Sequence, residues 1–104
     1  MHVVFVTAPA DHAERLAHGL VEAGLAACVQ RSTVVRSTYV WDGVVHEDDE
    51  VQLVVKTATA DAARDWIVAH HPYEVPQVVA VAVDEAASFA AYVSWVRASC
   101  KEPS

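Results

Sequence analysis

Two long extended segments joined by Asp42-Gly43 limit what this chain can fold into more than any other feature. The first runs from Leu25 to Trp41, and the second returns from Val44 to Thr57. An Asp-Gly pair between apolar segments is a strong β-hairpin signal. A chain of 104 residues forms a compact domain roughly 30–35 Å across, whereas the first segment alone would extend for about 55 Å. We therefore predict a hairpin that projects beyond its own domain.

A projecting apolar hairpin has unpaired edges, which proteins normally cover or pair. Tyr39 and Trp41 lie near the predicted tip, where aromatic side chains bury large areas at interfaces. We predict that the chain forms a homo-oligomer through this hairpin, with Tyr39 and Trp41 in the interface.

The remaining pattern predicts a βαββαβ order with an added C-terminal helix, in one domain over 1–104. Strands are predicted at Val3–Thr7, which reads as covered on both faces, and at Val78–Val83. The first helix has Asp11 and Glu14 as a capping box, an apolar face and a terminal Gly24. That face comprises Ala13, Leu16, Ala17, Leu20 and Val21. The fold class is therefore an α+β sandwich with the helices on one face of an antiparallel sheet.

Two more helices and two local bends complete this prediction. The second helix covers Thr59–His70, with Ala62, Ala63, Trp66, Ile67 and Ala69 facing inward. Ser88 is predicted to cap the third helix, whose buried face contains Phe89, Tyr92, Val93 and Val96. The polar groups Gln30–Thr33 and Glu47–Asp49 indicate bulges or bends in the hairpin.

Composition excludes several classes of function. A formal net charge of −7 disfavours nucleic acids and anionic membranes as partners, because both are bound by basic surfaces. No apolar stretch reaches the length needed to span a bilayer. Cys28 and Cys100 form no CxxC pair, and we predict reduced thiols in a cytoplasmic protein. No P-loop, HExxH, nucleophile elbow or dinucleotide fingerprint is present, so we predict no catalytic residues and no enzyme.

The segment His70-His71-Pro72-Tyr73-Glu74-Val75-Pro76 is the main site candidate. Pro72 disfavours the α region at His71, so a helix should end there and the two imidazoles could converge. His70, His71 and Glu74 offer two nitrogens and a carboxylate, which suit copper or another divalent metal. The alternative is an ordinary helix end, at which histidines bond the last carbonyls. The acidic run Glu47–Glu50 lacks the spacing of a calcium loop and reads as solvated charge.

Several short motifs, taken in order, closely resemble the CutA divalent-cation-tolerance family. They are Thr7-Ala8-Pro9, Leu25–Val29, Tyr39-x-Trp41-x-Gly43, Lys56-Thr57, His71–Pro76 and Tyr92-x-x-Trp95. The resemblance implies a ferredoxin-like fold and a cytosolic homotrimer joined through long hairpins. It also implies copper ligands at the paired imidazoles His70 and His71, while Val6 stands where some members have a third ligand, cysteine.

Two hypotheses of function follow. The first is a non-catalytic, cytosolic homotrimer in the response to divalent metal ions, with weak copper binding and no organic cofactor. The alternative is a regulatory trimer of the PII type that binds a small anionic ligand in clefts between subunits. Lys56, Tyr73 and Glu74 would line such a cleft. Binding assays with metals chelated distinguish the two hypotheses: small ligands should still bind under the second, and binding should occur only with metals under the first.

Overall fold

A computed structural model describes residues 1–101 of the chain. Its elements follow the predicted order: β1 (His2–Ala8), α1 (Ala10–Glu22), β2 (Cys28–Trp41), β3 (Val44–Thr57), α2 (Ala60–His70), β4 (Val78–Ala82) and α3 (Ala90–Ser99). The fold is an α+β, ferredoxin-like βαββαβ sandwich with one added helix, as predicted. Within the described residues, none of the helices has the length and apolar character needed to cross a membrane.

The four strands form one antiparallel sheet in the order β2-β3-β1-β4. β1 pairs with β3 from His2↔Thr57 to Ala8↔Val51, so β1 ends where β3 is only half complete. Helices α1 and α2 cover one face of this sheet. The core between them includes Val4, Val6, Leu16, Leu20, Leu53, Val55 and Ile67. Burial of each such side chain contributes about 1.5–3 kcal/mol, and this apolar layer stabilises the sandwich.

The opposite face of the sheet, which we call the open face, carries the alternate residues of β1 that are only half-buried, Val3, Phe5 and Thr7. Alternate residues of a strand point to opposite faces, so Phe5 lies on the open face while Val4 and Val6 are buried under the helices. Phe5 pairs with Val54 on one side and Val79 on the other, which forms an apolar row across three strands. The prediction that β1 is covered on both faces is met only in part within one protomer, because Val3, Phe5 and Thr7 are half-buried on the open face.

The first helix ends as predicted but begins differently. Gly24 has φ +73°, and the amides of Gly24 and Leu25 donate to the carbonyls of Val21 and Leu20. This is a Schellman motif, in which glycine avoids the strain of a left-handed residue. The predicted Asp11 cap is wrong, because Pro9 occupies the N-cap and Asp11 lies in the first turn without capping it. Val21 is also 44% exposed and not part of the core.

The other helices bury fewer of their predicted residues. Ala63 and Ile67 of α2 are buried, whereas Ala69 is exposed and Trp66 only half-buried. Ser88 does not cap α3, because its hydroxyl donates to the Asp84 carbonyl and Phe89 takes the N-cap. Phe89 is consequently left outside the helix and is 77% exposed. Tyr92 is exposed as well, so α3 packs only through Val93 and Val96.

The hairpin projects beyond the domain, as predicted, and lengthens the molecule to 44 Å in its longest dimension. Asp42 and Gly43 have φ of +54° and +74°, the two positive values of a type I′ turn. A register shift between Arg31 and Val34 confirms the first predicted bulge, but pairing is regular through Glu47–Asp49, where a second was predicted. We define the inner half of the hairpin as residues 28–33 and 51–57, and the outer half as residues 34–50.

Candidate functional site

The segment between α2 and β4, residues 71–77, forms a corner beyond the end of β1. In the last backbone hydrogen bond of the helix, the His71 N–H donates to the Ile67 carbonyl at 2.8 Å. His71 itself is extended, with φ −77° and ψ 142°, because the following proline disfavours the helical region. The helix therefore ends where the His-Pro pair predicts.

The buried ring of His71 connects this corner to β1. Its Nε2 lies 2.8 Å from the Thr7 carbonyl oxygen, and its Nδ1 lies 3.1 Å from the Tyr73 backbone nitrogen. The Tyr73 N–H can only donate, so Nδ1 accepts and Nε2 carries the proton that is donated to Thr7. Both ring nitrogens are thus engaged, which leaves His71 no lone pair for a metal in this conformation.

The ring of His70 has different partners. Its Nδ1–H donates to the Trp66 carbonyl at 2.7 Å, and the ring stacks on the Trp66 indole with centroids 4.0 Å apart. Of the four ring nitrogens of His70 and His71, Nε2 of His70 is the one that can bind a metal in this conformation. No group of three or more His, Cys, Asp or Glu side chains in residues 1–101 is placed to hold a metal ion. The structure does not bring His70, His71 and Glu74 together as a ligand set, and metal binding stays a prediction.

A cleft of about 630 Å³ lies between this corner and the outer half of the hairpin. Ser37, Tyr39, Trp41, Asp48 and Glu50 line it from the hairpin. The strand pairs Ser37↔Asp48 and Val35↔Glu50 place these alternate residues on the open face. Thr7 closes the cleft at the end of β1, and Tyr73 and Glu74 line it from the corner.

The cleft brings together two sets of residues predicted separately from the sequence. Tyr73 and Glu74, predicted ligand contacts, lie across from Tyr39 and Trp41, predicted interface residues. Tyr39 is 41% exposed and Trp41 is 48% exposed, so both are available to a ligand or another subunit. Lys56 does not line this cleft; its ammonium donates to the side-chain oxygen of Gln30 on the neighbouring strand.

Glu50 is the residue that sequence reasoning missed. It is only 6% exposed, although the acidic run to which it belongs reads as solvated charge. The Tyr73 hydroxyl donates to its Oε2 at 3.2 Å. Burial, and then the neighbouring Glu50 carboxylate, raise the pKa of Tyr73 to about 12, so the phenol stays a donor at neutral pH. The available signal was strand alternation, which separates Glu47 and Asp49 from Asp48 and Glu50.

Three comparisons with known proteins agree on the family. Residues 2–99 match the family model described as CutA1 divalent ion tolerance protein. The divalent-cation tolerance protein CutA of Pectobacterium atrosepticum is 36% identical over 102 residues, covering 95% of this chain and 91% of that protein. Protein CutA of Homo sapiens is 40% identical over 96 residues, or 89% of this chain, but the chain spans only 52% of that longer protein.

The fold is shared with solved structures along nearly its whole length. The PII-like protein CutA from Nostoc superposes with a TM-score of 0.92 at 35% identity, covering 97% of this chain and 98% of that one. The divalent cation tolerance protein of Thermus thermophilus gives a TM-score of 0.89 at 36% identity, covering 97% and 100%. The family is named for ion tolerance and not for an enzymatic activity. On the family model, the relatives and the shared fold, this chain belongs to the CutA1 divalent ion tolerance family.

Proposed function

We propose that the chain acts as a non-catalytic homotrimer in the response to divalent metal ions. Family membership supports the association with metal ions, and the shape of the protomer supports assembly. The observation on which the proposal depends is the set of exposed apolar side chains on the open face of the sheet.

This face has the character of an interior surface. Val79 is 52% exposed and Val81 is 49% exposed on the edge strand β4, next to Phe5 and Val3 of β1. Together with Phe5 and Val54 they form a contiguous apolar surface, and such a surface typically marks an interaction site. A further copy of the chain is the occupant we propose, because it would give β1 the second apolar cover that its continuous run of apolar residues predicts.

The outer half of the hairpin supplies a second apolar surface. Val44, 56% exposed, lies on the same face as Tyr39 and Trp41, while Val40 and Val45, 65% and 70% exposed, form a pair on the other face. We propose that Tyr39 and Trp41 contact a neighbouring subunit, so that the projecting hairpins and the open faces are buried together.

Sedimentation equilibrium at micromolar concentration tests this assembly. We expect the wild type to have the mass of three chains. Val79→Lys, which places a charge on the open face, should have a smaller mass. Val68→Lys is the matched control, since Val68 is 53% exposed but lies on α2, on the other side of the sheet. A wild-type mass of one chain, or an unchanged mass for Val79→Lys, would contradict the proposal.

For metal contact we propose His70, through Nε2, as a weak copper ligand. The Nδ1–H of His70 donates to the Trp66 carbonyl, which leaves Nε2 as the ring nitrogen able to bind a metal, and imidazole suits copper. We expect His70→Ala to weaken copper binding in a titration at fixed pH, and His71→Ala to leave the affinity of the folded protein unchanged. The double variant should resemble His70→Ala. Equal losses in both single variants would instead indicate a chelating pair formed by reorientation of the His71 ring.

We also propose a cytoplasmic location, supported by the free thiols of Cys28 and Cys100, since disulfides predominate in oxidising compartments. Disulfide mapping of protein purified with trapped thiols would test it: a Cys28 or Cys100 disulfide in the native protein would contradict it.

A regulatory, ligand-binding trimer of the PII type is the second candidate, and the cleft is the observation that favours it. Its lining does not favour the anionic ligand expected from the sequence, because it contains Asp48, Glu50 and Glu74 and, within the described residues, no lysine or arginine. Thermal shifts with small ligands in the presence of a chelator would distinguish this candidate from metal response.

A further inference from the structure

The open face carries charges of opposite sign at its two ends. Alternate residues of β3, from Val44 to Lys56, lie on this face. Those in the outer half include Asp48 and Glu50, and no lysine or arginine within the described residues lines the cleft around them. At the inner end the charged strand residue is Lys56, which pairs with Val3 on one side and Cys28 on the other.

Lys56 has no carboxylate partner in its own protomer. No salt bridge within residues 1–101 includes it, and its ammonium donates one hydrogen bond to the neutral side chain of Gln30. An ammonium has three N–H groups, and Lys56 is half-buried beside the apolar surface of Val3 and Val81. A positive group with two further donors is therefore available to another molecule at this end of the face.

Asp48 is the complementary group in the outer half. It is exposed, and it accepts the Tyr39 hydroxyl but forms no salt bridge among the described residues. Glu50 is instead buried against Tyr73, so it adds negative charge to this region without offering an exposed oxygen. Asp48 is thus the carboxylate that a cation of another chain can reach.

The symmetry of a closed trimer requires two different patches that fit each other. In a ring of three, one patch of each copy meets a different patch of the next copy. The two halves of the open face have this relation, because both are apolar and their charges are opposite. Trp41 and Val44 are exposed in the outer half, and Val79 and Val81 in the inner half. Complementary charges of this kind fix the register of an interface and disfavour wrong pairings.

We infer that the outer half of one hairpin lies across the inner open face of the next copy, where Asp48 of the first copy pairs with Lys56 of the second. This inference rests on the proposed trimer and specifies which surfaces meet in it. Within one chain the two residues lie on the same strand, about 27 Å apart at about 3.4 Å per residue. No single copy can therefore form this ion pair.

Charge reversal tests the pairing. Lys56→Glu and Asp48→Lys should each weaken the trimer by about tenfold or more, because like charges then meet at every contact between copies. The double variant with both reversals should recover most of the wild-type association. Sedimentation equilibrium over a range of protein concentrations measures these differences. Unchanged association in the single variants, or no recovery in the double variant, would overturn the inference.

Glu47→Lys supplies the matched control for the recovery. Glu47 neighbours Asp48 in sequence but pairs with Arg36 on the opposite face of the hairpin. Combined with Lys56→Glu, it gives the same net charge as the first double variant and should not restore the trimer. Equal recovery in both double variants would overturn the inference, because net charge would then explain it.

Neutral variants keep the test decisive if a charge reversal prevents folding. Lys56→Gln and Asp48→Asn should each weaken the trimer severalfold and make its association less sensitive to salt, since ionic strength screens a charge pair. Wild-type association and salt dependence in both neutral variants would overturn the inference.

The mass of the wild type separates this inference from the proposed assembly. A wild-type mass of one chain at every concentration contradicts the assembly, and the inference falls with it. A wild-type trimer that none of these variants weakens overturns the pairing alone and leaves the assembly intact.

Discussion

The inner and outer halves of the hairpin share two strands and one pairing pattern but have different surroundings. In the inner half of β3, Val51, Leu53 and Val55 are buried between the sheet and the helices. In the outer half, Val44 and Val45 are 56% and 70% exposed. β3 pairs with both β2 and β1 along its inner half, and with β2 alone further out. Pairing between β2 and β3 alone therefore does not determine burial. The presence of β1 and the helices beside the inner half of β3 does.

The transition between the halves falls within one run of acidic residues. Glu47 and Asp49 pair with Arg36 on one face, and Asp48 accepts the Tyr39 hydroxyl on the other. Glu50, at the boundary, is covered by the corner. Four consecutive acidic side chains thus have three different environments, because a strand directs neighbours to opposite faces.

The largest expected difference between the halves comes from core truncation. Leu53→Ala should lower the free energy of unfolding by about 2–5 kcal/mol, through lost burial and a cavity. Val45→Ala should cost less, with an effect that falls as the protein is diluted, because its neighbours are other subunits in the proposed trimer. Urea denaturation at two protein concentrations measures both. Equal, concentration-independent losses would contradict the distinction.

The corner that separates the halves depends on one imidazole. His71→Ala removes hydrogen bonds to Thr7 and Tyr73, and leaves buried backbone groups unpaired, at a cost of about 1–3 kcal/mol. His70→Ala is the control, since that ring is exposed and bonds only the Trp66 carbonyl. Chemical denaturation of the pair at one concentration decides between them. A larger loss for His70→Ala would show that the assignment of structural roles is reversed.

The turn of the outer half should be less sensitive. A Cβ on Gly43 would meet no atom within 4 Å, so the cost of Gly43→Ala is backbone strain at φ +74°, about 1 kcal/mol. Gly43→Asn should cost less, since asparagine tolerates this conformation better. Thermal unfolding of both variants tests the ranking, and a steric origin is indicated instead if asparagine is the more harmful.

The smallest effect concerns the contact between Tyr73 and Glu50, and it is seen only at high pH. The folded pKa of Tyr73 is raised from 10.0 to about 12. The unfolded chain therefore releases this proton first, and its contribution to stability is full below pH 10 and lost as the pH rises through about 12. Exposure of 36% weakens the effect. Tyr73→Phe should flatten the alkaline decline in stability; an identical decline would show that Tyr73 does not contribute.

Much of the fold is predictable from local signals, because glycine and proline restrict the backbone without help from distant residues. Asp42-Gly43 predicts the turn, Gly24 the end of α1, and His71-Pro72 the end of α2. The caps at Asp11 and Ser88 are wrong for a local reason, since Pro9 and Phe89 begin those helices without a side-chain cap.

The site is less predictable, because it depends on contacts distant in sequence. The partner of His71 is a carbonyl at Thr7, and the partner of Glu50 is the hydroxyl of Tyr73. Nothing in the residues around either position indicates these pairs. The exposure of the open face is also not predictable from the sequence, because a strand covered by helices and a strand covered by another subunit have the same apolar composition.

The outer half of the hairpin is a ribbon only one backbone thick, and this has a consequence for changing the protein deliberately. Its two surfaces exchange no side-chain contacts through an intervening core, so substitutions on opposite sides should combine additively. Charge near Arg36 can then be redesigned for solubility while the aromatic side is kept, and specificity can be altered on that side without rebuilding the other.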